Sequence, residues 1–321
     1  MMKQRIFVYE YLSGGGLVRG DDELLGQGRA MRDAMVEDLA CVDGVEITCA
    51  SGVHSRTAPG SPRVTFVEPQ SGESPCDFVW RQTRAHDLAW VVAPETGGLL
   101  TCLRKIVPQQ RWMGCDSASI RLASSKSATL EELSRQHLQT PRDFIGLSCV
   151  SRWVVKPDDG AGAVATRVHT SFDRALADLA TRKREGSVAT LEPWVEGEPM
   201  SLSLLCHAGR TELISINRQC IQLSGNGMVG YQGVQINAIA MDDPRAEVLR
   251  DTAQQVARAI PGLRGFAGVD IVWHPVCGPV VIEVNPRLTC AYVGLSEALR
   301  RPLAKEIVSM FTQQREMAGV A

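Results

Sequence analysis

No C-x-x-C pair occurs among the ten cysteines of this sequence, which stand at positions 41, 49, 76, 102, 115, 149, 206, 220, 277 and 290. That spacing signals neither a zinc site nor a thioredoxin-type motif. A chain of 321 residues can bury enough apolar surface to fold without disulfides, so free thiols in a reducing cytosol are expected. The six histidines (54, 86, 137, 169, 207, 274) lack H-E-x-x-H or other ligand spacing and take no role. No apolar run approaches the roughly 20 residues of a membrane span. The opening MMKQRIFVYEYLSGGG has a short apolar run broken by Glu10, unlike a secretory leader. A formal net charge of −2 offers no footprint for nucleic acid or an anionic membrane. Internal repeats and low-complexity linkers are absent. A cytoplasmic globular protein without nucleic-acid or membrane partners is expected, and the length accommodates two or three domains.

What is present alternates. Residues 5–12 read as a buried strand ending in the Ser13-Gly14-Gly15-Gly16 turn, and 22–40 have helical spacing. Strands are expected at 45–49, 64–67 and 90–93, then the Pro94-Glu95-Thr96-Gly97-Gly98 turn and a helix to about residue 107. This is a parallel α/β pattern, whose ligand lies at the carboxyl ends of the strands, here the 10–16 and 94–98 loops. One helix is expected over 117–138, with Thr140-Pro141 breaking it. A strand at 152–156, a glycine-rich loop and a returning strand at 164–168 follow. Thr170-x-x-Asp173 reads as a capping box for a helix through Arg184, and 188–195 as a strand. Three more strands (201–207, 211–219, 231–238) precede a helix at 244–260, whose stripe is Val248, Leu249, Thr252, Val256 and Ile260. A hairpin of 266–273 with 279–285 and a C-terminal helix at 295–316 complete the chain.

The most informative segment is Gly278–Leu288, GPVVIEVNPRL. Side chains of a strand alternate with period two, so Glu283 and Asn285 point the same way. A carboxylate beside a carboxamide suits a hard cation such as Mg²⁺. Pro286 ends the ladder, and Arg287 stands where an anion could lie beside the cation. Asp270, inside FAGVDIVW, costs free energy if buried unpaired. It calls for a cation, a salt bridge or an edge position.

Lys156-Pro157-x-x-Gly160-x-Gly162 follows a strand. Its glycines let backbone N–H groups approach phosphate oxygens, and the lysine adds a charge, although a plain hairpin turn has the same signature. The Walker A order is absent, and Gly26-x-Gly28 is followed by Met31 where a dinucleotide fingerprint wants glycine. Glu192-Pro193-Trp194-Val195-Glu196-Gly197-Glu198 is either an acidic surface turn or a connector offering backbone groups to an adenine edge, with Glu198 for ribose hydroxyls. Glu10 is either an ammonium partner at a strand end or a core-edge acid held by its turn. Arg218 and Arg287 are inward candidates.

In combination and order, these pieces resemble the ATP-grasp superfamily of carboxylate–amine ligases over most of the chain. The resemblance implies an α/β (α+β) ATP-grasp fold. A parallel α/β pre-ATP-grasp domain would span 1–115, a small lid subdomain 116–190, and a C-terminal subdomain with the metal site 191–321. It implies ATP and Mg²⁺, with Mn²⁺ as a substitute, and small-molecule acid and amine substrates. A homodimer is compatible with it. Lys126 and Lys156 would be the two nucleotide lysines, with Gly160 and Gly162 in the phosphate loop. Glu192, Trp194 and Val195 would form the adenine connector, and Glu198 the ribose carboxylate. Asp270, Glu283 and Asn285 would hold the metal, while Arg287, Lys156 and Arg218 would act in catalysis. Within the superfamily, VYEYLSGGG and APETGGLL look most similar to tyramine–glutamate ligases of methanofuran-type cofactor synthesis. This implies L-glutamate and tyramine as substrates and Glu10, Ser13, Gly14 and Glu95 as substrate contacts. A dipeptide ligase of the D-alanine-ligase type, or a non-catalytic nucleotide-binding module, are the alternatives.

Overall fold

The structure is a computed structural model that describes residues 3–16, 22–52, 63–207 and 209–319, with the side chains of 22–23 and 314–319 left aside. His54 and the first two residues of the chain lie outside the described residues. Strands β1 (Gln4–Glu10), β2 (Val45–Ala50), β3 (Val64–Val67) and β4 (Leu88–Val92) form a parallel sheet in the order β3-β2-β1-β4. Helix α1 (Asp22–Ala40) leads from β1 to β2, α2 (Pro75–Thr83) precedes β4, and α3 (Leu99–Ile106) follows it. Both faces of β1 are apolar, as a parallel sheet covered on two sides requires. Ile6 and Val8 pack with Met31, Met35 and Leu39 of α1. Phe7 and Tyr9 pack with Phe78 and Val79 of α2 and Leu100 and Leu103 of α3. Helix α2 was not anticipated from the sequence; Ser74 caps it through a 3.1 Å bond from the Asp77 N–H, and Pro75 occupies its first turn.

The helix expected over 117–138 is two, α4 (Ser117–Ala123) and α5 (Lys126–Arg135). Asp116 caps the first, accepting from Ser119 N–H at 2.8 Å. Ser125 caps the second and accepts from Ala128 N–H at 3.2 Å. The break puts Lys126 at the first position of a helix rather than in its middle. Next come β5 (Trp153–Pro157), β6 (Arg167–His169), α6 (Phe172–Arg184) and β7 (Ala189–Pro193), with sheet order β6-β5-β7. Helix α6 starts behind Ser171 without a side-chain cap, so no capping box forms at Thr170 and Asp173. The box is at Thr140 and Asp143, where the Thr140 N–H donates to Asp143 at 2.7 Å.

Strands β8 (Glu198–His207), β9 (Arg210–Leu223) and β10 (Val229–Ile239), helix α7 (Ala246–Ala259), and strands β11 (Gly265–His274) and β12 (Gly278–Asn285) build the second large sheet. Its order is β10-β9-β8-β11-β12, antiparallel throughout. On α7, Leu249, Thr252 and Val256 face the core, but Val248 is exposed. The C-terminal helix expected at 295–316 is split into α8 (Leu295–Leu299) and α9 (Leu303–Gly319). Arg300 has φ 51° between them, and Pro302 cannot continue a helix. Helix α9 packs Leu303, Ile307 and Phe311 into the cluster under α1. Tyr292 joins the two large sheets, edge-on to Trp90 (5.7 Å between centroids) and Phe266 (5.4 Å), with its hydroxyl donating to Asp38 at 2.7 Å. No helix among the described residues is long and apolar enough to cross a membrane.

Two glycines of α1 are set apart by what surrounds them. A Cβ at Gly28 would lie 2.5 Å from Glu10 Oε2, whereas one at Gly26 meets nothing. Gly28→Ala is expected to destabilise the fold by about 1–3 kcal/mol through overpacking. Gly26→Ala should stabilise it by about 0.5–1 kcal/mol through helix propensity. Urea unfolding of the two variants beside wild type would measure both.

Candidate active site

The carboxyl ends of β1 and β4, the loop after β5 and one face of the antiparallel sheet enclose a cavity of about 750 Å³. Its walls include Glu10, Lys126, Lys156, Gly160, Gly162, Glu192, Trp194, Val195, Asp270, Glu283, Asn285 and Arg287. The fold thus brings together most of the residues singled out from the sequence. Asp158 fixes one corner: it accepts from Ser125 Oγ (2.6 Å) and Ser127 N–H (2.8 Å), and its carbonyl accepts from Lys126 N–H (2.9 Å). Burial works against the Asp158 carboxylate, yet these bonds hold its pKa below the ordinary value. The loop beyond it turns through positive φ at Gly162 (67°), Ala163 (60°) and Ala165 (53°). Left-handed residues in succession open backbone N–H groups toward an anion, at a cost for the two alanines.

Every buried cation of the cavity is held by a carboxylate. Lys126 contacts Glu283 at 3.0 Å and donates to the Gly160 carbonyl. Lys156 pairs with Glu192, both side chains buried. Arg287 makes a two-pronged contact with Glu95, at 2.9 and 3.0 Å. Burial disfavours the guanidinium, but Glu95 more than offsets this and Arg287 is held above its usual pKa. Glu95 therefore lies behind Arg287 and does not line the cavity.

Asp270 and Glu283 stand opposite each other in the register of β11 and β12. A bulge beside this pair lets Ile282 and Glu283 both line the cavity. Asp270 accepts from Gln219 Nε2 at 2.9 Å and Asn285 Nδ2 at 3.2 Å. Desolvation, then the facing Glu283, pushes its carboxyl up to about 7. Among the described residues no three His, Cys, Asp or Glu side chains converge as a cage. Two carboxylates and a carboxamide oxygen nevertheless fit a hard cation that completes its shell with phosphate oxygens and water. The mutual repulsion of the pair is what such a cation would relieve.

Glu10 forms the end of the cavity beside α1, where Leu24, Gln27 and Met31 also line it. Its oxygens accept from Leu12 N–H (3.1 Å) and Ser13 N–H (2.7 Å), and burial raises its pKa despite those bonds. Ser13 and Gly14 do not line the cavity. Ser13 holds Glu10, and a Cβ at Gly14 would meet the Tyr9 ring at 2.9 Å. Glu198 and Arg218 also fall outside the lining residues. Pro199 and Ser201 of β8 and Gln219 and Ile221 of β9 face the cavity, so alternation turns Glu198 and Arg218 away. They pair with one another at 2.7 Å, and Arg245 adds a 2.9 Å contact to Glu198.

The sequence did not single out Gln219, Arg152 or Asp159. Arg152 grips Glu196 and lies over the Trp194 ring, 5.4 Å from its centroid. Asp159 accepts from Gly97 N–H at 2.8 Å, tying the glycine-rich loop to the turn that carries Glu95. All three act between segments far apart in the chain, and no local spacing marks them.

The Asp270 carboxyl has an unfolded value of 3.8 and a folded value of about 7. Between these the folded chain keeps a proton that the unfolded chain has released, so this group makes stability fall as pH rises through that window. Below it both states are protonated, and above it both are ionised. Urea midpoints of metal-free protein across the window should fall more steeply for wild type than for Asp270→Asn; parallel curves would assign the slope to other groups.

Residues 123–291 match the family model described as ATP-grasp domain, and residues 45–120 the one described as pre ATP-grasp 3 domain. No curated protein sequence matches. Among solved structures, an ATP-grasp superfamily protein from Archaeoglobus fulgidus has a TM-score of 0.71 at 22% identity, over 96% of this chain and 88% of that one. The D-alanine–D-alanine ligase of Bacillus anthracis complexed with ATP has a TM-score of 0.65 at 16% identity, over 98% and 99% of the two chains. The L-amino acid ligase of Bacillus licheniformis has 0.66 at 15%, over 96% and 74%. Identities this low speak for the fold alone. The family model, which covers more than half of the chain, goes further: this protein belongs to the ATP-grasp family, with a pre-ATP-grasp domain ahead of the ATP-grasp domain.

Proposed function

We propose that the protein is an ATP-dependent, ADP-forming ligase that joins a carboxylate to an amine through an acyl phosphate. The observation that carries this is the gathering of Lys126, Lys156, Arg287 and the Asp270–Glu283–Asn285 set around one cavity. Asp270, Glu283 and Asn285 would hold Mg²⁺ or Mn²⁺, which supplies charge neutralisation at phosphate oxygens. Lys126 and Lys156 are placed to exchange carboxylate partners for phosphate oxygens. The loop at Gly160 and Gly162 offers backbone N–H groups to the same phosphates. The connector around Glu192, Trp194 and Val195 borders the space for adenine. Arg287 faces charge that builds as the acid carboxylate attacks the γ-phosphate. An amine then displaces phosphate from the acyl phosphate and forms the amide. Such catalysis is mostly positioning and charge stabilisation.

For substrates, the proposal is L-glutamate as the acid and tyramine or a related aromatic amine as the acceptor. Glu10 supports an ammonium-bearing substrate, since a buried carboxyl of raised pKa gains most from a cation. Leu12, Leu24 and Met31 give the same end of the cavity an apolar wall.

Incubation with ATP, Mg²⁺, L-glutamate and tyramine, omitting each in turn, tests the proposal by mass spectrometry. A glutamyl-tyramine adduct that needs all four, with ADP in step, is expected. ADP formed with other amines, such as a second amino acid, would retain the ligase and replace the acceptor. ATP binding without ADP under any combination would sink the ligase reading. Lys156→Ala and Glu283→Ala should remain folded by circular dichroism while turnover falls about 10²–10³-fold. Wild-type rates in either variant would remove that residue from the catalytic set.

A further inference from the structure

Outside the cavity, one side-chain pair has chemistry that the proposed reaction does not use. The Sγ atoms of Cys76 on α2 and Cys102 on α3 lie 2.9 Å apart, and both are free thiols. No other two cysteine sulfurs among the described residues come within hydrogen-bonding distance. A disulfide bond is about 2.05 Å long, so a small approach would join them. Two rigid helices hold the sulfurs in place. Phe78 and Val79 of α2 and Leu100 and Leu103 of α3 are wholly buried in one core cluster, against which Cys76 also packs. Cys102 is exposed and Cys76 half-buried, so a reagent from solvent reaches Cys102 first.

We propose that Cys76 and Cys102 form a dithiol site that closes to an intramolecular disulfide when it meets a small-molecule disulfide oxidant. Cys102, as its thiolate, attacks one sulfur of the oxidant, forming a mixed disulfide and releasing one thiol. Cys76 then loses its proton to solvent and attacks the Cys102 sulfur, releasing the second thiol. Two protein thiols are oxidised, and one small disulfide is reduced to two thiols. Burial, then the adjoining Cys102, raises the Cys76 thiol to about 12. It is therefore a poor first nucleophile, and its part is the second, intramolecular step, where proximity replaces thiolate population. The bond would staple α3 to α2 a few residues after the turn that carries Glu95 and Gly97, which touch Arg287 and Asp159.

Full-length native protein treated with oxidised glutathione, alkylated and digested, tests the site by mass spectrometry. A Cys76–Cys102 linked peptide, two hydrogens lighter than the reduced pair and restored by dithiothreitol, is expected. Cys41, Cys149 and Cys277 are exposed and, among the described residues, have no cysteine sulfur within hydrogen-bonding distance, so they should keep glutathione in the same sample. Cys102→Ser, at an exposed position, should fold and lose the linked peptide. Glutathione retained on Cys102, linkage of Cys102 to a different cysteine, or both thiols recovered free while those three cysteines are modified would overturn the proposal. None of these readouts depends on ligase activity.

Discussion

Two carboxylates facing each other across a hairpin set the terms for the whole site. Asp270 and Glu283 are opposed in register, with Val269, Ile271 and Val284 buried beside them. Like charges at that spacing in a poorly hydrated wall cannot both be accommodated without help. Asp270 responds by holding a proton to about neutral pH and by taking hydrogen bonds from Gln219 and Asn285. Glu283 responds by drawing in Lys126. Placing Lys126 there requires α5 to begin at that residue, and Asp158 and the Ser125 cap hold it so.

The same logic extends outward. Lys156 with Glu192 and Arg287 with Glu95 are further buried pairs, each drawing its partners from different segments. Such pairs add little net stability, but breaking one by removing a partner typically costs about 3–5 kcal/mol. They serve better as placement devices. Glu95 comes from the parallel α/β part of the chain and Arg287 from the end of the β11–β12 hairpin, so their contact joins the parts that the proposed reaction would use to bring acid and nucleotide together. Asp159 bonded to Gly97 adds a second tie at the same turn. A ligand with phosphates and a cation would meet a cavity whose positive groups are already aligned and only need to exchange partners.

The architecture is legible in the chain where periodicity is strong. The parallel strands, α1, the 266–273 with 279–285 hairpin and the glycine-rich loop all follow from apolar spacing and turn residues. Errors arise where a few polar residues decide. Ser124-Ser125 divides an apparently continuous helix because the Ser125 hydroxyl caps a new one, and Arg300 with Pro302 divides another. Thr170 and Asp173 have the spacing of a capping box, yet the box forms at Thr140 and Asp143, because spacing alone does not say which hydroxyl faces a free N–H.

Residue types and spacings by themselves determined which groups could serve a nucleotide and a metal: Glu283 two positions from Asn285, an acid within a strand at Asp270, and a lysine before a glycine-rich turn. They also pointed to a parallel first sheet, since its strands alternate with helices along the chain. Which of the candidates meet was decided only in three dimensions. Strand alternation turns Glu198 and Arg218 to the far side of their sheet, where they satisfy each other. Glu95 sits behind Arg287, and Gln219 reaches Asp270 from two strands away. The physical reason is common to all of them. A charge in a poorly hydrated wall takes whatever partner the packing brings nearest, and that partner comes from remote sequence, which no local pattern records.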